Sequence, residues 1–136
     1  MISKKCTYAL KAVLALARRE GGGPMTIQQI AEAQDIPPRF LESILRDLKQ
    51  NGYTESIRGK EGGYILSRPA REISLGEIIQ CMEGPWFTPG PEEDVFSQVW
   101  EEAEAALNRV THATHFQTLI LREDELRRAA VPDYSI

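Results

Sequence analysis

Two adjacent prolines divide the most regular stretch of this chain. Pro37 and Pro38 fall inside "TIQQIAEAQDIPPRFLESILRDLKQNG", where helical spacing holds on both sides of them. Proline is barred from a helix interior but suits a helix start, so one helix must end before Pro37 and another must open at about Pro38. Upstream, Thr26 followed by Gln29 forms a capping-box pattern that opens the first of these helices, through about Gln34. Downstream, the second runs to Gln50 and stops at "NG", a common helix-ending pair. A still earlier helix, from residue 4 to about 20, is predicted by Tyr8, Ala9, Ala12, Val13 and Leu16 recurring at helical spacing between lysines, and "GGGP" ends it.

The helix that opens at Pro38 has two faces. Phe40, Leu41, Ile44, Leu45 and Leu48 make the apolar one, and Arg39, Glu42, Ser43, Arg46 and Lys49 recur at steps of three or four as a polar stripe with net positive charge. After "NG", "YTESI" and "YILS" have strand propensity and flank the tip "RGKEGG", whose glycines permit a sharp reversal. Helix, helix, short turn, helix and hairpin is the order of a winged helix-turn-helix. In such a module the third helix enters the major groove and the hairpin reaches the adjacent backbone or minor groove. Arg58 and Lys60 then form a charged wing tip. The charge distribution agrees: residues 1–71 carry twelve Lys and Arg against seven Asp and Glu, whereas residues 72–136 carry four against thirteen. The basic half is where a polyanion would bind.

Ser74 with Glu77 makes a second capping box, predicting a helix through about Glu83 with Leu75, Ile78, Ile79 and Met82 inward. "EGPWFTPGPEED" reads as a connector. A long helix follows over 92 to about 110, where Phe96, Val99, Ala103, Ala106 and Val110 are spaced three, four, three, four and Trp100 and Leu107 widen the stripe. Such a seam either packs against a second copy of the chain or folds back on its own module, and pairing with a copy is the simpler outcome. One or two short helices and a tail, "VPDYSI", are expected after it. The expected division is a winged helix-turn-helix domain at 1–84, a connector at 85–91, a dimerisation helix with a short following helix at 92–120, and an extension at 121–136. The fold class is mainly α with a two-stranded wing.

At 136 residues the chain suffices for one domain, or a small domain with an appendage. No apolar run approaches the roughly 20 residues of a membrane span. Lys11, Arg18 and Arg19 break the apolar character a signal peptide would need, so a cytoplasmic protein is expected. Enzyme chemistry finds little support: there is no "GxxxxGK[ST]", no G-x-S-x-G and no cysteine–histidine spacing suited to zinc.

In order and spacing, "YALKAVLALA", "TIQQIAEAQDIPPRFLESILRDLKQNGYTESIRGKEGGYIL", "ISLGEIIQCMEGP", a Trp-bearing helix and "LNRVTHATHF" resemble the Rrf-two family of bacterial winged-helix regulators, over roughly residues 1 to 120. The resemblance implies a homodimer crossed through the long helix, an imperfect palindrome in promoter DNA as its operator, and repression as the direction of control. It implies that Glu42 contacts a base and that Arg58, with Gly59, enters the minor groove. Arg39, Arg46 and Lys49 would mainly hold phosphates. Thr26, Gln28, Pro38, Ser43, Lys60 and Gly62 complete the candidate DNA-facing set. One departure stands out. Cluster-binding relatives carry three cysteines in the connector, and here it contains none, while Thr7 stands where some relatives supply a further ligand. No cofactor is therefore expected, an iron–sulfur cluster least of all.

Sensing must then lie elsewhere, in a thiol, a small effector or a regulatory protein. Cys81, on a helix facing the module, is expected as a small core residue or a redox-responsive thiol. Cys6 follows Lys4 and Lys5, which would lower its pKa if it were exposed. His112 and His115 form H-x-x-H on one helical face, a pattern that serves capping and surface roles more often than metal binding. Trp86 and Phe87 either plug the joint between module and long helix or line a pocket for a small apolar effector. The alternative to a DNA-binding regulator is a winged-helix protein-interaction module whose partner surface is the acidic half.

Overall fold

The computed structural model describes residues 2–131. Six helices and a two-stranded sheet follow in the order α1 (Lys4–Arg18), α2 (Ile27–Gln34), α3 (Pro38–Gln50), β1 (Thr54–Ile57), β2 (Gly63–Leu66), a 3-10 turn (Ala70–Glu72), α4 (Leu75–Glu83), α5 (Val95–His112) and α6 (Phe116–Ala130). The starts are set by side-chain caps. Thr26 Oγ1 accepts from the Gln29 N–H while the Gln29 side chain accepts from the Thr26 N–H, and Ser74 and Glu77 repeat the arrangement at α4. Asp94 and Ser97 form a third box, so the long helix begins at Val95 rather than 92. The prolines act as expected: Asp35 ends α2 in the left-handed conformation, the Ile36 N–H bonds back to Ala31, and Pro38 opens α3.

The wing strands pair antiparallel, from Thr54 opposite Leu66 to Ile57 opposite Gly63. Its root is fastened to the segment before α2, because Met25 and Tyr64 exchange both backbone hydrogen bonds, at 3.0 and 2.7 Å. The core lies beneath α3. Ala9, Ala12, Val13 and Leu16 of α1 meet Ile30, Leu41, Ile44, Leu45, Leu48, Ile73 and Ile78 there, all fully buried or nearly so. The alanine row on α1 lets its neighbours approach closely.

Two features depart from the sequence-based expectation. Phe40 does not join the apolar face of α3; it is 39% exposed. Its ring stacks on Tyr8 of α1 at the surface instead of joining Leu41 and Ile44. Beyond α5 there is one 15-residue helix, not a short helix and an extension, and it folds back on the module. Phe116 is buried in the core, its N–H bonds to the Ile73 carbonyl at 3.0 Å, and Arg18 of α1 reaches Glu123 and Asp124 at 2.7 Å each. Of the tail, Val131 is exposed and the rest lies outside the described residues. None of the described helices is long and apolar enough to cross a membrane.

Candidate nucleic-acid interface

Because Leu41, Ile44, Leu45 and Leu48 are committed inward, the helical period turns Pro38, Arg39, Glu42, Ser43, Arg46 and Lys49 outward, and all six are exposed on the open side of α3. Glu42 Oε1 and Arg46 Nη2 lie 3.7 Å apart one turn from each other, on side chains 72% and 59% exposed. A pair this open and long is worth a few tenths of a kcal/mol, about 0.3–0.5, and exchanges partners readily. Lys49 Nζ donates to Ser56 Oγ at 2.7 Å, tying the end of α3 to β1 of the wing. Helix and wing are thus presented as one unit.

At the wing tip Arg58, Gly59, Lys60 and Glu61 are all exposed. The Gly62 N–H closes the turn on the Gly59 carbonyl at 3.1 Å, with Gly59 at φ +118°. A Cβ on Gly62 would run into the Ile57 carbonyl, so the tip needs glycine at both places. Thr26 and Gln28 lie at the start of α2, but their side chains are engaged locally, Thr26 in its cap and Gln28 with Glu32 at 3.1 Å.

The seam of α5 is open. Phe96 and Val110 are each 63% exposed, Val99 and Trp100 about half, and Ala103, Ala106 and Leu107 are less open. Trp86 fastens α5 to the connector by donating its backbone N–H to Glu104 and its indole N–H to Asn108, both at 3.1 Å. Phe87 stacks on Trp100 with ring centres 5.6 Å apart. The groove beside them, about 270 Å³, is lined by Glu92, Glu93, Glu101 and Glu104 as well as the rings, so it does not suit a small apolar effector.

Other expectations about sensing groups need correction. Cys6 is fully buried, and its thiol is pushed up to about 11, first by burial and then by Glu83 and Cys81. The lysines before it do not activate it. Burial, then Asp47, likewise raises the half-buried Cys81. Both remain thiols at neutral pH and are poor nucleophiles, which argues against an oxidant sensor at either. His112 and His115 do not share a helix. His112 ends α5, with Nδ1 3.1 Å from the Asn108 carbonyl and its ring against Gly76, while His115 precedes α6 and bridges to Ser74.

Over residues 2–122 the chain matches the Rrf2 (Rrf-two) family, described as iron-dependent transcriptional regulators. An rrf2-like relative from Rhodobacter capsulatus is 46% identical over 88 residues, which are 62% of this chain and 59% of that protein, so less than two thirds of its length is spanned. The HTH-type transcriptional regulator CymR of Bacillus subtilis is 32% identical over 122 residues, 87% of this chain and 88% of that one. The solved structure of CymR, the global cysteine regulator of B. subtilis, has a TM-score of 0.78 at 31% identity, covering 88% of this chain and 95% of its own. IscR of T. potens has a TM-score of 0.81 at 28% identity, covering 98% and 93%. These matches bear out the winged helix-turn-helix and a regulator rather than an enzyme.

The iron of the family description has no fitting donor set here. Connector residues 85–94 offer carboxylates but no thiolate, and the chain's two cysteines lie on α1 and α4. Among the described residues no three His, Cys, Asp or Glu side chains converge on a point that could hold a metal. Thiolates are what hold iron–sulfur clusters.

Proposed function

This chain belongs to the Rrf2 family of winged helix-turn-helix transcriptional regulators, and from that premise we propose that it acts as a homodimeric repressor on a palindromic operator, without an iron–sulfur cluster. The observation that carries the reading is the exposed polar face of α3 tied to the wing through Lys49 and Ser56. Glu42 leaves Arg46 to accept from a cytosine amino group in the major groove, which discriminates among bases. Arg39, Arg46 and Lys49 hold phosphates, Pro38 and Ser43 lie against the same backbone, and Thr26 and Gln28 meet it through α2. Arg58 enters the minor groove while Gly59 and Gly62 let the wing backbone come close; Lys60 pairs with a flanking phosphate.

The open seam of Phe96, Val99, Trp100 and Val110 is covered by a second copy, and twofold symmetry in the protein calls for twofold symmetry in the operator. The place of action is the cytoplasm. With both thiols protonated, control falls to a regulatory protein or small effector. The relatives are regulators by description, so a repurposed protein-interaction module has no support from them.

Selection of bound sequences from a randomised duplex pool, at fixed salt, tests the reading. Enrichment of a palindrome is expected, along with dimer mass in sedimentation. No enriched sequence, or a single unpaired half-site, would sink it.

A further inference from the structure

We propose that Lys4, Tyr8, Phe40 and Arg39 form a second contact strip, which grips the phosphodiester backbone of the operator beside the recognition helix. This rests on the DNA-binding reading above and extends it to α1, whose side chains are otherwise outside the interface.

The strip is a ladder of cations and rings. Tyr8 of α1 and Phe40 of α3 stack with ring centres 5.7 Å apart and planes inclined by 28°. The Lys4 ammonium lies 5.9 Å from the centre of the Tyr8 ring, and the Arg39 guanidinium carbon lies 4.8 Å from that of Phe40. Both cations are thereby held at the surface by attraction to ring faces. Lys5, next along α1, is engaged differently, since its Nζ is 2.9 Å from Asp47 and braces α1 against α3. That pairing also neutralises a neighbouring carboxylate of α3, leaving Lys4 over its ring.

Lys4, Lys5, Tyr8, Phe40, Ser43 and Ile44 line an open groove of about 230 Å³ with no acidic lining residue. Ser43 belongs to the outward stripe of α3, so the groove opens along the edge of the recognition face. A ring that served only to fill the core would be buried with Leu41 and Ile44, yet Phe40 stays out and is held in place by Tyr8. Fixed cations with apolar ring surface between them suit a phosphodiester strand, whose charged oxygens alternate with apolar sugar C–H groups. Such contacts add affinity without reading sequence.

The experiment measures salt-dependent affinity of full-length protein for the selected operator and for a scrambled duplex of the same length. Lys4→Ala should weaken binding about three- to tenfold on both duplexes and lower the slope of log affinity against log salt by about 0.9, the share of one phosphate. Lys4→Arg should restore both quantities. Phe40→Leu keeps an apolar side chain on an exposed position, so the module stays folded; it should weaken binding several-fold and leave the preferred bases unchanged. Lys4→Ala with unaltered affinity and slope, beside wild-type protein that binds, overturns the strip alone. A shift of base preference in Phe40→Leu overturns the backbone assignment, because the ring would then be reading a base. Wild-type protein that binds neither duplex removes the DNA-binding reading and the strip together.

Discussion

The winged module and the α5 arm dispose of their apolar surface in opposite ways. In the module Val13, Ile30, Leu41, Ile44, Leu45, Leu48 and Ile78 are closed off within one chain, and what remains outside is a polar, largely cationic face. On α5 only Thr111 is buried, and Phe96, Val99, Trp100 and Val110 stand in water. Of the eleven large hydrophobic side chains exposed among the described residues, five lie on α5, three on or just after α6 and three in residues 2–94. Unmet burial is therefore concentrated in the arm. Each such side chain, once covered, contributes roughly 1.5–3 kcal/mol. The module's exposed face needs a polyanion to exchange for water, whereas the arm's needs another apolar surface. The two halves also carry opposite net charges, which favours a polyanion on the module over the arm.

The sharpest way to break the contrast is to attack each side where it is strongest. Leu45→Ala opens a cavity in the closed core and should cost about 2–5 kcal/mol in denaturant unfolding, at unchanged dimer affinity per folded chain. A loss well under ~1 kcal/mol would mean the module's core is not self-sufficient. Val99→Glu leaves the module intact but puts a charge into the seam, and should raise the dimer dissociation constant by about a hundredfold or more in sedimentation equilibrium. An unaltered constant would place the interface elsewhere.

A smaller effect separates the two readers within the module. Arg58→Ala should weaken binding about tenfold on every duplex, while Glu42→Ala should relax base preference at one position per half-site by about 1–3 kcal/mol. A Glu42→Ala profile identical to wild type would remove the recognition-helix role of that residue.

What could be read from sequence follows the range of the interactions involved. The capping boxes at Thr26 and Ser74, the turn at Pro37 and Pro38 and the polar stripe of α3 depend on residues close to one another along the chain, and all were legible. So was the apolar stripe of α5, since its spacing is local. The exposure of Phe40 depends on Tyr8, far earlier in the chain, and the burial of Cys6 on α4, far downstream. The H-x-x-H spacing does not put both histidines on one face because a turn at Ala113 separates them, and nothing in the spacing marks it. The direction of α6 was hidden most completely, because the groups that meet it on the module, the Ile73 carbonyl for the Phe116 N–H and Arg18 for Glu123 and Asp124, are far from it in sequence.

That long-range clamp offers the subtlest test, because α6 is where arm and module meet. The Arg18 guanidinium donates to Asp124 and holds its carboxyl below the usual range, which is about 3.9 for Asp. A group whose folded pKa is depressed adds its stability above the unfolded value and loses it as pH falls through the folded one. The docking of α6 should therefore be constant from neutral pH down to about 4 and weaken only below that. In Arg18→Gln the acid-side dependence should shrink, and the Asp124 carboxyl, followed by NMR, should titrate closer to the ordinary value. The effect on overall stability should be small, because the pair is open to solvent. If Asp124 titrates alike in both proteins, the ion pair does not hold α6. Its docking would then rest on Phe116 in the core, and the boundary between a self-contained module and an open arm would fall after α6's first turn.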